Sequence, residues 1–357
     1  MRVRNFLKKK KVYVLALVGF SFFFLCVIFF EYFLKNDKPF TNTTTAMGTY
    51  ITQTISTKKN QPENIANSIT KSIKNLENKI SWRKENSDIF KINHSGKSDK
   101  IKVNNETFDI LKRSLEVSQK TGGAFEVTIL PISSIWNFSN NNGFVPNSSS
   151  LKNALTKVGY KNILLNEQDY TVQNLSGVPI LDLGGVGKGS ACDLALKEYS
   201  KNDLNYAIIS VGGSIGLYGK KENNQPFNIA IRDPLEKEDS SISFAFIKLY
   251  SGCVSTSGAY EQGFTVDNTF YHHILDSKTG YSAQTDLLSV TVCHDSGTLT
   301  DLLSTACFVL GKDKSLPILK EYNAEAIFVD KNKNVFVTPN LKSKFSLTNN
   351  NYKICEW

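Results

Sequence analysis

Four short segments of the chain carry residue types and spacings that could do chemistry. The first is LDLGGVGKGSACDLA, residues 181–195. A strand-like run leads into Gly184, Gly185, Val186, Gly187, Lys188 and Gly189, and then into a helix expected from about Ser190. Glycines let backbone N–H groups approach a phosphate, a helix N-terminus adds positive potential, and Lys188 adds a full charge. The spacing is neither Walker A, since no Ser or Thr follows Lys188 directly, nor GxGxxG. The second segment is SVGGSIGLYG, residues 210–219, which follows the strand-like YAIIS. A tight turn or a strand-end bulge would explain either glycine cluster alone. Two glycine turns joined by one helix suggest a pocket that wraps a dinucleotide.

The third segment sets Asp301 and Thr305 four residues apart on one helix, so they share a face. A carboxylate beside a hydroxyl makes a pair of hard oxygen ligands suited to Mg²⁺. The alternative is an acidic residue favoured by the helix dipole next to a solvated threonine. The fourth segment is YHHILDSKTGYSA, residues 271–283. Adjacent histidines in a strand point to opposite faces, so one of His272 and His273 can face a pocket. A histidine there could take a proton from an attacking hydroxyl, although a histidine without such context is more often structural. His94 and His294 have no comparable setting.

The elements that must position these residues are legible in part. AMGTYITQTIS (46–56) reads as one strand. Ile65, Ile69, Ile73, Leu76 and Ile80 recur at helical spacing. Phe108, Leu111 and Leu115 mark a second helix, stopped by Gly122-Gly123. Residues 137–150 form a polar loop. Beyond it, VPILDL, YAIISV, FNIAIRDP, ISFAFIKLY, TFYHHILD and LLSVTVCHD read as strands, a helix runs from about Thr298 to Gly311, and AIFVD and VFVTP flank a hairpin turn. Hairpin-like strand pairs mixed with helices favour an α+β fold over a doubly wound parallel sheet.

The ends and the charge set the wider frame. Val12 to Phe30 is a run of 19 residues without charge, preceded by the basic RVRNFLKKKK. That length of helix spans about 28 Å, close to the hydrocarbon thickness. We therefore expect a basic cytoplasmic tail (1–11), a transmembrane anchor (12–34), a linker (35–45), a folded domain (46–345) and a C-terminal tail (346–357). The basic flank should stay cytoplasmic, which places the folded part outside the cytoplasm on an inner-membrane anchor. A cleaved signal peptide and a lipoprotein through Cys26 are the rivals. Residues 1–40 carry +6 of the formal +9, which leaves +3 for the rest, too little for a nucleic-acid surface. The six cysteines show no CxxC and no zinc-like cluster, and read as buried free thiols.

Taken together, the segments resemble the FAD:protein FMN transferase family, also called ApbE. AMGTY, SWRKENSDIFKIN, TGGAFEVT (121–128), LDLGGVGKG, VGGSIGLYG, IRDP, STSGAYEQGF (255–264), HHILDSKTGY and TDLLSTACFVLG occur in the family's order over about residues 45–311. The resemblance implies two α/β subdomains around a central cleft that binds FAD as substrate. It implies Mg²⁺ held by Asp301, Thr305 and the backbone carbonyl of Gly187, and His273 as the base. Met47, Gly48, Glu126, Gly185, Lys188, Gly212, Gly213 and Asp276 fall at or near flavin- or nucleotide-contacting positions. The implied partner is an acceptor flavoprotein, such as a subunit of a membrane redox complex, that takes FMN on a Ser or Thr as AMP leaves. Four positions depart from the family pattern: Glu126 stands for Asp, Ser214 for Asp or Asn, Gly187 for Ala and Ser277 for Pro. An FAD pyrophosphatase using water, a non-catalytic envelope flavin-binding protein and a purely structural envelope protein are the competing readings.

Overall fold

The computed structural model of the protein describes residues 39–58, 61–138, 144–221, 224–236, 239 and 241–357. The expected tail (1–11), the anchor (12–34) and the start of the linker lie outside the described residues. Among the described residues, no helix is long and apolar enough to cross a membrane.

The chain opens on a hairpin where a single strand was expected. β1 (Phe40–Ala46) and β2 (Thr49–Ser56) pair antiparallel around Met47-Gly48, both at positive φ (55° and 69°). This is the turn geometry that matches strand twist in a two-residue hairpin. Most of the expected linker is therefore a strand. FTNTTTA shows no apolar alternation because β1 is the outermost strand, laced to β2 by hydroxyl pairs such as Thr43–Thr52 at 3.1 Å.

Next come α1 (Pro62–Ile80), α2 (Asp88–Asn93), β3 (Ile101–Lys102), α3 (Asn105–Lys120), α4 (Leu130–Trp136), α5 (Ser148–Leu155), β4 (Ile163–Asn166) and β5 (Thr171–Asn174). The apolar stripe of α1 is buried as its spacing predicts. VPILDL does not join a ladder, contrary to expectation. Its backbone is satisfied partly by Asn93, whose side-chain oxygen accepts from the N–H groups of Ile180 (3.1 Å) and Leu181 (2.9 Å) and whose amide donates to the Leu181 carbonyl (3.0 Å), and partly by main-chain bonds to Val127 and Leu130.

The remaining elements are α6 (Gly187–Tyr199), β6 (Tyr206–Val211), β7 (Ser214–Gly219), β8 (Phe227–Arg232), β9 (Ser243–Leu249), β10 (Gly252–Gly258), β11 (Gly263–Val266), β12 (Thr269–His272), β13 (Leu287–His294), α7 (Gly297–Leu310), α8 (Lys312–Glu321), β14 (Glu325–Asp330), β15 (Asn334–Val337), α9 (Pro339–Lys342), β16 (Phe345–Leu347) and β17 (Lys353–Cys355). Nine strands form one sheet in the order β1-β2-β6-β7-β10-β13-β14-β15-β17. All its pairs are antiparallel except β15–β17. Residues of α1 and α6 pack on one face with Ile51, Ile55 and Ile209. The three-stranded sheet β16-β9-β8 covers the other face through Phe227, Ile231, Phe244 and Ile247. Alternation along β10 sends Cys253 into the first core and Val254 into the second.

The expected C-terminal tail is structural. It supplies parts of β16 and the edge strand β17, and Tyr352, 4% exposed, donates its hydroxyl to the buried Asp233. Cys192, Cys253, Cys293 and Cys307 are buried free thiols and Cys355 is a half-buried one, while Cys26 lies outside the described residues.

Candidate active site

The site is organised around two helices whose backbones touch. α6 begins at Gly187, three residues earlier than expected, so Lys188 and Gly189 lie in its first turn. Gly189 of α6 faces Gly297 of α7. A Cβ on Gly189 would overlap the Gly297 carbonyl oxygen, and a Cβ on Gly297 would overlap that of Gly189. Only glycine allows this approach. Asp193 of α6 fixes the register by capping α7. Its carboxylate accepts from the N–H groups of Gly297 (2.5 Å) and Thr298 (2.9 Å) and from the hydroxyls of Ser296 (2.9 Å) and Thr298 (2.7 Å).

This contact brings Asp301 against the glycine–lysine turn. The Gly189 N–H donates to Asp301 Oδ2 at 2.6 Å, and Ser214 Oγ donates to Oδ1 at 2.6 Å. Asp301 is 5% exposed. Thr305 lies one turn further along α7, half-buried, with its hydroxyl 3.2 Å from Ser257 Oγ.

Two hairpin turns border that turn. β2 and β6 are antiparallel neighbours, so Met47-Gly48 and Gly212-Gly213 lie at the same end of the sheet. A Cβ on Gly187 would sit 4.0 Å from Met47 Sδ, and one on Gly212 would sit 3.1 Å from Cδ of Lys188. The glycines at 48, 184, 185, 212 and 213 are exposed, which leaves backbone available to a ligand. Met47 itself is tied down by its N–H, which donates to Glu77 Oε2 at 3.0 Å.

His273 follows β12 directly. Its N–H donates to the Gln262 carbonyl at 3.1 Å, and Nδ1 lies 3.2 Å from the same oxygen. Burial pushes its pKa down to about 4, the Gln262 carbonyl opposes the shift, and the positive charge of Lys188 adds to it. The lysine is thus within electrostatic reach of the imidazole. The adjacent His272 takes the opposite face, as strand alternation requires. It is buried edge-on to Phe308 at 5.5 Å, and burial lowers its pKa to about 4.

Glu126 and Asp276 are held by their own surroundings. Glu126 Oε1 accepts from the N–H (3.0 Å) and hydroxyl (2.7 Å) of Thr128, and Oε2 from the Tyr160 N–H (3.1 Å). Burial pushes its pKa up. Asp276 Oδ1 accepts from the Lys278 N–H at 2.9 Å, and the neighbouring Ser277 donates to the Gly123 carbonyl at 2.7 Å. A Cβ on Gly123 would lie 3.7 Å from Glu126 Oε2, and one on Gly185 would lie 3.4 Å from the Phe125 ring, so this corner joins the glycine turn.

Sequence reading alone missed several contributors. Ser214 stood out only as a family departure, yet it binds Asp301 directly. Asp193, Ser257 and Ser304 lie inside the quoted segments, but no role could be assigned to them because the contacts of Asp193 and Ser257 span 103 to 105 and 47 to 48 residues. A cavity of about 870 Å³ is lined by Trp82, Arg83, Asn93, Leu130 and Pro131, among others. The pKa of Asp182 is pushed up by burial, against the Gly184 N–H and the charge of Arg83. SWRK marked that region without assigning a residue in it.

The ApbE family model matches residues 47–328, a span that holds every site residue described above. The chain belongs to the ApbE family. Among its relatives, an FAD:protein FMN transferase of Treponema pallidum is 32% identical over 271 residues, covering 72% of this chain and 74% of the relative. One of Buchnera aphidicola (subsp. Schizaphis graminum) is 28% identical over 326 residues, covering 89% and 94%. The solved ApbE protein of Thermotoga maritima superposes with a TM-score of 0.78 at 33% identity, covering 86% of this chain and 99% of that one. The ApbE fold is also shared with a Vibrio cholerae flavin transferase, at a TM-score of 0.76 and 20% identity, covering 86% of this chain and 99% of that one.

Proposed function

We propose that this chain is a magnesium-dependent FAD:protein FMN transferase. The reading rests first on one observation: the Gly189 N–H binds Asp301 at 2.6 Å, which joins the glycine–lysine turn to the Asp301/Thr305 face of α7. Family membership and relatives named for this activity support it.

The donor set fits a hard cation. Among the described residues no three His, Cys, Asp or Glu side chains converge as a metal site. A cation here would rest on one carboxylate, one hydroxyl and a backbone carbonyl (Asp301, Thr305, Gly187), with phosphate oxygens completing the shell. All-oxygen binding with few protein ligands is the habit of Mg²⁺ at phosphates. When bound, Mg²⁺ would neutralise diphosphate charge and make phosphorus more electrophilic.

The chain's own residues account for the rest of the chemistry. Lys188 binds the diphosphate through its charge, at the positive N-terminal end of α6, while the Gly189 N–H stays on Asp301. Met47-Gly48 and Gly212-Gly213 let the ligand lie close to the backbone. His273 is neutral at pH 7, so its imidazole can accept a proton. The acceptor Ser or Thr oxygen bonds to the phosphorus on the FMN side, the hydroxyl proton passes to His273, and the bond to the AMP phosphate oxygen breaks. AMP leaves, and FMN stays as a phosphoester. In keeping with the sequence, the enzyme is held at the inner membrane by residues 12–34 and acts outside the cytoplasm, on a subunit of a membrane redox complex or a similar flavoprotein.

The test is incubation with FAD, Mg²⁺ and an extract from cells lacking this protein. We expect an acceptor to gain the mass of FMN less one water and AMP to be released, and Asp301→Ala to abolish both at saturating Mg²⁺. Free FMN without a modified acceptor would establish the hydrolytic reading instead. An unchanged rate for Asp301→Ala would remove the metal assignment.

A further inference from the structure

The sheet meets α7 through hydroxyl pairs whose protons can be traced. Ser255 and Ser257 alternate toward α7 from β10, while Thr256 turns to the other face and pairs with Thr291 at 2.9 Å. On α7, Thr300 donates to the Gly297 carbonyl at 2.7 Å, and Ser304 donates to the Asp301 carbonyl at 3.1 Å. Each hydroxyl has one proton to give and can accept elsewhere. With its proton on a helix carbonyl, each of these α7 hydroxyls can only accept from the strand. Ser255 therefore donates to Thr300 (2.7 Å), and Ser257 donates to Ser304 (2.8 Å).

Ser257 also has a second contact. Its oxygen lies 3.2 Å from Thr305 Oγ1, and its own proton is already committed to Ser304. With all three contacts made at once, Thr305 is the donor in that pair. The chain of donors runs from Thr305 to Ser257, to Ser304, to the Asp301 carbonyl. Its fixed end sets the direction of every proton along it.

We propose that Ser257 is a positioning residue that draws the Thr305 proton onto the sheet side and so presents the threonine's free lone pairs to a divalent cation shared with Asp301. This rests on the metal site of the function proposed above. Without Ser257, the Thr305 proton loses its acceptor on the sheet side and turns to the cation side, where it opposes binding. The outer partners of a metal ligand commonly set its affinity in this way. The chain ends on the main-chain carbonyl of Asp301, while the Asp301 carboxylate is oriented separately by the Gly189 N–H and Ser214.

The experiment is a Mn²⁺ titration of the full-length protein with FAD bound, read by the electron paramagnetic resonance signal of free Mn²⁺. Thermal unfolding is recorded in parallel. Ser257→Ala should weaken Mn²⁺ binding about 10- to 100-fold, while Ser257→Thr, which keeps the hydroxyl, stays within about threefold of the unsubstituted protein. Ser304→Ala removes the fixed end and should fall between the two, although Ser304 lies behind Ser257 in the chain. Raising the metal concentration should recover the transfer lost by Ser257→Ala. Equal loss in Ser257→Ala and Ser257→Thr, or unchanged Mn²⁺ affinity in Ser257→Ala and Ser304→Ala, overturns the proposal. If the unsubstituted protein binds no Mn²⁺ with FAD present, the metal reading itself fails, and that outcome is distinct from both.

Discussion

Asp301 and His273 stand at two ends of the candidate site, and they are held in different ways. Asp301 is almost sealed, with one carboxylate oxygen bonded to a backbone N–H and the other to a buried serine hydroxyl. The helix that carries it is capped by four bonds from Asp193 and pressed backbone to backbone against α6. His273 is half-buried and tied to a single carbonyl, at the foot of the hairpin β11–β12. Among the described residues, that hairpin forms its own two-stranded sheet. The charged centre is therefore embedded in the core, while the proposed base stands on a hairpin that anchors through Phe264, Tyr271 and His272 and leaves the His273 side chain with one carbonyl partner. A group that must hold a fixed charge needs such enclosure. A group that must meet an incoming polypeptide needs access.

The difference is tested first by removing the base. His273→Ala should lower transfer by about 10²- to 10⁴-fold, the usual worth of a positioned proton acceptor. The melting temperature should stay close to that of the unsubstituted protein, because the imidazole supports little else. A large fall in melting temperature with this variant would mean that the imidazole itself supports the fold, as its neighbours Tyr271 and His272 do.

The next largest effect is expected at the other end, and there it should be structural. Gly189→Ala places a Cβ onto the Gly297 carbonyl and 2.9 Å from Asp301 Cγ. The helices must part, since backbone offers no rotamer to swing aside. Overpacking of this kind costs about 1–3 kcal/mol or more, which lowers melting by several degrees in a domain of this size. Transfer should fall with it, because the Gly189 N–H leaves the carboxylate. Unaltered melting would show that α6 and α7 are free to separate.

The sequence revealed elements wherever burial writes a period. The apolar stripe of α1 and the four-residue spacing of Asp301 and Thr305 survive into the structure unchanged. It failed wherever the partner is remote in the chain. VPILDL looks like a strand but has its backbone satisfied largely by groups far earlier in the chain, the Asn93 side chain 87 residues before Ile180 and the main chain at Val127 and Leu130. β1 carries threonines on an outer edge, so no apolar alternation announced it. The proton chain through Ser257 depends on residues 47 and 48 positions apart, and its direction is fixed by a helix carbonyl that no motif records. Local chemistry was readable, whereas its orientation required the packing.

The smallest effect links the two ends. Burial is the main reason that His273 titrates near 4, and the cationic Lys188 pushes the same way. A nearby positive charge disfavours the imidazolium, so removing it must raise the pKa toward the ordinary 6.5. Lys188→Gln should therefore move the acid limb of the kcat/KM profile for FAD to higher pH. The shift should be less than about one unit, because burial remains. The height of the profile also falls as a phosphate contact is lost, so the limb's position is the reading that matters. That limb reports the free enzyme, in which no diphosphate lies between lysine and histidine. A limb that stays put, or moves to lower pH, would mean that the lysine does not act on the imidazole across the empty site. The enclosed centre and the hairpin would then be coupled only through the substrate that spans them.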